Sequence, residues 1–140
     1  MSCPQSPKPN SFFHSNLSLD AELAWIAGFI DGEGTVIVYE HRYPSGYRVL
    51  KGRVSAECTE KELLEVIYKR FGGQLRQRKR YDDANKYGIK SRKPLWVWEA
   101  DCLQAYKVCK SILPYFKSSR KREACEEVIK LYESRYLHRH

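Results

Sequence analysis

Four consecutive residues, Asp31-Gly32-Glu33-Gly34, set two carboxylates among two glycines where an apolar, helically periodic stretch from Leu17 to Ile30 comes to an end. Carboxylates are favoured at the positive N-terminal end of a helix, so acids at a C-terminal end oppose the macrodipole and call for another explanation. Magnesium is one. It takes a few hard oxygen ligands, usually one or two carboxylates completed by water and phosphate oxygens, and glycines free the backbone to come close. An acidic turn at a helix end is the commoner use of such a tetrapeptide, so the four residues alone do not decide the matter. Within the same stretch Ala24, Gly28 and Gly32 recur at i, i+4 and i+8 and therefore share one helix face. Glycine inside a helix costs roughly 0.5–1 kcal/mol relative to alanine, which implies a close backbone contact that compensates. A tight helix crossing within the chain would explain it, and so would a second chain.

The second chemical element is cationic. Strand-like alternation over residues 74–81 puts Gln74, Arg76, Arg78 and Arg80 on one face and turns Leu75 the other way. Arginine at every second position is hard to place in a core, and its planar fork matches the two acceptors of a guanine edge in the major groove. An earlier stretch repeats the pattern, with Lys51, Arg53, Ser55 and Glu57 on one face and Val54 and Ala56 on the other. Before it, Thr35, Tyr39 and His41 stand opposite Val36 and Val38. A merely solvated sheet face would alternate in the same way. The run Lys117-Ser118-Ser119-Arg120-Lys121-Arg122 could bring a cation to a phosphate or simply open a solvated helix. Trp96 and Trp98 share one strand face, and their pattern leaves core packing and stacking on DNA both open. His138 and His140 have the look of a metal-ligand pair, but with no third ligand in sight a frayed terminus explains them better.

The elements that must position these groups follow from periodicity and punctuation. The helix from Leu17 can be capped by Ser18 or Asp20 and stopped by the Gly32/Gly34 pair. Two strands, 35–42 and 47–58, flank Tyr43-Pro44-Ser45-Gly46, which has hairpin-turn composition. Thr59 with Glu62 reads as a capping box for a helix carrying Leu63, Leu64, Ile67, Tyr68 and Phe71, which Gly72-Gly73 ends. After the arginine strand come a polar connection from Asp82 to Lys93 and an aromatic strand, 95–100. Two helices, 101–113 and 118–136, break at Pro114. The predicted class is α+β, in the order αββαββα with a further α. Residues 1–15, rich in Pro, Ser and Asn, are expected to form an arm, and residues 16–140 a single domain, as the length of 140 allows.

Composition narrows the partners. Twenty-five Lys and Arg against 17 Asp and Glu leave a formal charge of +8, which favours a polyanion. The five cysteines, Cys3, Cys58, Cys102, Cys109 and Cys125, have no paired spacing, which argues against a disulfide framework or structural zinc and for a reducing, intracellular compartment. No apolar run approaches a membrane span, and the first residues lack the apolar stretch of a secretion signal, so neither membrane nor export is expected.

Taken whole, Ile26-Ala27-Gly28-Phe29-Ile30-Asp31-Gly32-Glu33-Gly34, preceded by Leu23-Ala24-Trp25 and followed by a hairpin, resembles the signature of the LAGLIDADG homing endonucleases. The resemblance covers nearly all of the chain after Leu17, and a single copy of the motif resembles the homodimeric branch. It implies an antiparallel, saddle-shaped sheet with helices on one face. It also implies that motif helices of two protomers pack through Ala24, Gly28, Asp31 and Gly32. Glu33 then matches the metal-binding acid, with the Gly32 carbonyl near the metal, while Asp31 matches the more structural acid. The polar sheet face, Thr35, Tyr39, His41, Lys51, Arg53, Gln74, Arg76, Arg78 and Arg80, matches the major-groove reader. Glu57, where relatives often carry Gln, matches a side chain reaching the active-site water. Arg120 and Lys121 are both candidates for the basic residue at the scissile phosphate, with Lys117 contacting DNA beside them. The implied activity is magnesium-dependent, or manganese-dependent, double-strand cleavage of a long pseudo-palindromic DNA target, with no small-molecule cofactor. The implied setting is an organelle, chloroplast or mitochondrion, or a prokaryotic or phage cytoplasm. An intron RNA maturase, or a DNA-binding regulator without cleavage, is the alternative on the same fold.

Overall fold

In the computed structural model, which describes residues 18–78 and 93–136, the apolar stretch after Leu17 forms helix α1 (Ser18–Glu33). It passes through Gly32, where the sequence pattern places its stop. The obligatory glycine is Gly34, the first residue of β1 (Gly34–Arg42). A Cβ there would lie 2.8 Å from the Ser55 carbonyl oxygen and 2.8 Å from Ile30 Cγ2, so only a bare backbone lets the strand start directly off the helix. β1 pairs antiparallel with β2 (Arg48–Cys58) through a turn in which Tyr43 N–H donates to the Tyr47 carbonyl at 2.8 Å and Gly46 N–H to the Tyr43 carbonyl at 2.9 Å.

Helix α2 (Lys61–Phe71) starts one residue later than a Thr59 cap would have it. Glu60, in extended backbone, occupies the cap position and gives no side-chain cap bond, so the expected capping box is not formed. The reason lies in the sheet: β2 stays paired as far as Cys58, opposite Trp96, and the chain needs Thr59 to leave it. Gly72 and Gly73, at φ +73° and +94°, end the helix in a conformation that L side chains rarely adopt. Strand β3 (Gln74–Arg78) follows, then β4 (Leu95–Asp101), which pairs antiparallel with both β2 and β3. The sheet order is therefore β1-β2-β4-β3. Helix α3 (Leu103–Ile112), a 3-10 turn (Leu113–Tyr115) containing Pro114, and helix α4 (Ser119–Tyr136) complete the described chain. The arm, Arg80, the polar connection and His138 and His140 lie outside the described residues.

One face of the sheet, through Val36, Val54, Ala56, Trp98 and Ala100, meets Ile26 and Ile30 of α1, Leu64 and Ile67 of α2, Val108 and Ile112 of α3, and Val128 of α4 in one core. This is the expected α+β architecture with helices on a single face, and it settles the tryptophans. Trp98 is fully buried and donates its indole N–H to the Gly72 carbonyl at 2.8 Å, while Trp96 is partly buried with the Lys61 ammonium 4.6 Å over its ring. Both belong to the helix-covered face. Their strand partners Leu95, Val97, Glu99 and Asp101 consequently share the opposite face with the arginines.

Candidate active site and nucleic-acid interface

The two acids at the end of α1 have different surroundings. Asp31 is half-buried: its Oδ2 accepts the Lys117 backbone N–H at 2.9 Å, and its Oδ1 is buried with no hydrogen-bond partner among the described residues. Its carboxylate thus turns toward its own chain. Glu33 is exposed and has neither a hydrogen bond nor an ion pair with any described residue. A carboxylate left free at the negative end of a helix is electrostatically uncompensated, which is a fit to a cation. No group of three or more Asp, Glu, His or Cys gathers around it among the described residues. A cation there would need oxygens from elsewhere, as magnesium accepts from water, phosphate and a second carboxylate.

The basic run arrives at the same place. Lys121 Nζ donates to the Asp31 carbonyl at 3.1 Å, which ties the start of α4 to the last turn of α1. Arg120, Lys121 and Ala124 line a cleft of about 290 Å³ with Gly34, Thr35, Val36 and Ile37, the first residues after Glu33. Arg122 turns away and caps the Phe116 carbonyl at 2.7 Å. The side chain of Lys117 is exposed. Glu57 reaches this end of the sheet from β2, one residue beyond Ala56, which pairs with Gly34. Its carboxylate is engaged, accepting Arg78 Nη1 at 2.6 Å.

The face away from the helices carries the expected side chains in register. Thr35, Ser55, Glu99 and Gln74 form one row across all four strands, Ile37, Arg53 and Asp101 a second, and Glu57, Val97 and Arg76 a third. Arg53 is held on several sides: Nε and Nη2 donate to Asp101 at 2.7 and 3.3 Å, Nη2 to the Tyr39 hydroxyl at 3.3 Å, and the guanidinium lies 4.7 Å over the Tyr39 ring. The hydrogen bond to Asp101 raises the Arg53 pKa further, while burial and then the Asp101 charge raise that of Tyr39, so the first stays a cation and the second a neutral hydroxyl. Arg76 Nη2 donates to Glu99. At the hairpin end His41 packs edge-on to Tyr43 at 4.6 Å, and Lys51 lies 5.5 Å over the same ring. Sequence reading missed Glu99 and Asp101. Alternation along β4 would have revealed them, had the side on which the tryptophans pack been known.

The small-residue face of α1 is open. Ala24, Gly28 and Gly32 are exposed, and a Cβ added at either glycine would meet no described residue within 4 Å, so none of the described helices crosses α1 on this face. Beside it Trp25, 39% exposed, stacks on Phe29 at 5.3 Å.

No protein-family model matches the chain, and no curated protein does. Solved structures do. Homing endonuclease I-CvuI, in complex with the I-CreI target, shares the arrangement with a TM-score of 0.62 at 19% identity, over 82% of this chain and 68% of that one. This chain has the LAGLIDADG homing-endonuclease fold. The group I intron-encoded homing endonuclease I-CeuI, complexed with DNA, matches over 96% of this chain and 79% of its own, with a TM-score of 0.57 at 12% identity. The LAGLIDADG homing endonuclease I-GzeII, in complex with its DNA target, matches over 81% of this chain but only 36% of its own, with a TM-score of 0.57 at 16% identity. The acidic end of α1 and the basic start of α4 meet at the first residues of β1, whose partner strand β2 carries Glu57, paired with Arg78.

Proposed function

We propose that the chain is a site-specific DNA endonuclease of the LAGLIDADG homing type that acts as a homodimer with magnesium. The observation that carries this reading is the Glu33 carboxylate, without a partner among the described residues, at the end of a small-residue face that no described residue covers, with Lys121 anchored at the preceding turn. Close packing of two α1 helices through Ala24, Gly28 and Gly32 would bring two Glu33 side chains together on the two-fold axis. Each protomer then contributes one acid, and the Gly32 carbonyl lies beside it. A divalent cation there, magnesium or manganese, would activate a water and neutralise charge at the phosphate and the leaving oxygen. Lys121 and Arg120 hold the scissile phosphate in the cleft beside β1. Glu57, kept in place by Arg78, orients water at the same end of the sheet. Thr35, Tyr39, His41, Lys51, Gln74, Arg76 and Arg78 face the major groove, with Arg53 braced among them and Lys117 on the backbone. The two-fold axis imposes a long, roughly palindromic target. Unpaired thiols at Cys58, Cys102, Cys109 and Cys125 suit a reducing compartment, organellar or prokaryotic.

The test is selection from randomised DNA duplexes in magnesium, followed by sequencing of the cut ends. Cleavage at one recurrent, pseudo-palindromic site is the expected result. Selective binding without cutting would favour the non-cleaving regulator, and preference for intron RNA the maturase.

Once a target is in hand, Arg78→Ala separates base reading from charge attraction. Loss of a bidentate guanine contact should cost about 1–3 kcal/mol on the target and relax one base pair in each half-site. Competition binding over single-base variants checks this. Uniform weakening of all sequences, with the salt slope lowered by about one per site, would assign Arg78 to a phosphate instead.

A further inference from the structure

Two carboxylates of β4 stand on the polar sheet face without belonging to the cleavage centre. Glu99, with its side chain 17% exposed, accepts Arg76 Nη2 from β3 and lies 3.6 Å from Arg53 Nε of β2, so a single acid bridges the arginines of both neighbouring strands. Asp101 takes two donors of Arg53. Glu57 takes Arg78. Among the described residues, four cations on this face (Lys51, Arg53, Arg76 and Arg78) stand against three carboxylates, and every arginine is paired.

That balance is unusual for a surface meant to meet DNA, because affinity for unrelated sequence comes from cations free to neutralise phosphates. A guanidinium held by a carboxylate gives little of it: transfer to a phosphate strands the carboxylate beside a polyanion. A G·C pair permits a complete exchange. Guanine O6 and N7 accept the arginine fork, and the cytosine N4 amino group donates to the released carboxylate.

We propose that Glu99 is a specificity-determining positioning residue, which holds Arg76 and Arg53 in the free protein and releases Arg76 only to a base pair that also satisfies the carboxylate. Unrelated DNA is disfavoured because it leaves Glu99 uncompensated. This rests on the endonuclease reading above, and the experiment separates the two.

The full-length wild type first enriches a target from randomised duplexes. Binding of that target and of one unrelated duplex of equal length is then measured over a range of salt concentrations for the wild type, Glu99→Gln, Glu99→Thr and Glu99→Asp. Both uncharged variants should bind the unrelated duplex about tenfold more tightly at low salt, with a log–log salt slope steeper by about 0.9 per protomer, as one freed arginine reaches a phosphate. Their preference for the target should fall at least about tenfold, while Glu99→Asp, which keeps the charge, should keep the wild-type slope. Two uncharged replacements of different shape keep the test decisive if one fails to fold, as thermal melting will show. Wild-type slope and preference in the uncharged variants would overturn the proposal alone, and so would an equal change in Glu99→Asp. Enrichment of no sequence by the wild type would overturn the endonuclease reading, and the proposal with it.

Discussion

Glu33→Gln should lose cleavage of the enriched target in magnesium by about a thousandfold or more, while target binding stays within about tenfold. Charge neutralisation by a bound cation is worth several kcal/mol in the transition state, and each 1.36 kcal/mol is a factor of ten in rate. The amide keeps the length of the side chain and loses the negative charge that holds the cation. Glu33 is exposed and has no partner among the described residues, so the substitution breaks no bond of the protein and should leave stability within about 0.5 kcal/mol. Asp31, two residues earlier, would be a poor choice for this test, because its carboxylate holds the Lys117 backbone. Single-turnover cleavage beside equilibrium binding is the measurement. Wild-type turnover in the variant would remove Glu33 from the chemistry.

Gly28→Leu should yield a folded monomer. Gly28 sits mid-helix and a Cβ there meets none of the described residues, so leucine is accommodated among them and raises helix propensity by about 1 kcal/mol. Against a second copy of α1 the same side chain would push the axes apart by ångströms. Overpacking of this kind costs about 1–3 kcal/mol, and the two-fold axis repeats it, so dimer association should weaken by roughly 2–6 kcal/mol. Sedimentation equilibrium should show half the wild-type mass, circular dichroism should show native secondary structure, and cleavage should fall with the dimer. A dimer of wild-type affinity would place the interface on another surface.

The order of the elements was legible in the sequence because each rests on local pattern, and the fold was legible through the resemblance that the α1 motif carries. Apolar residues recur at helical spacing in α1 and α2, side chains alternate in β1, β2 and β3, and Gly72-Gly73 and Pro114 punctuate. The motif Asp31-Gly32-Glu33-Gly34 was equally visible, since its acids and glycines are contiguous. Three matters depended on residues far apart in sequence. The tryptophans of β4 could face either way until α2 and α3 closed over one side of the sheet, and that choice is what brought Glu99 and Asp101 in among the arginines. Ala24, Gly28 and Gly32 fit an internal crossing as well as an external one by pattern alone, and it is the packing of the described helices that leaves that face bare among the described residues. Asp31 and Glu33 carry the same group two residues apart, and beyond the resemblance of the motif nothing local separates them. The arrival of Lys117 and Lys121 from the far end of the chain does, tying Asp31 down and leaving Glu33 free. A hydrogen bond made across some ninety residues leaves no periodicity behind, so only the tertiary structure could decide which acid was available.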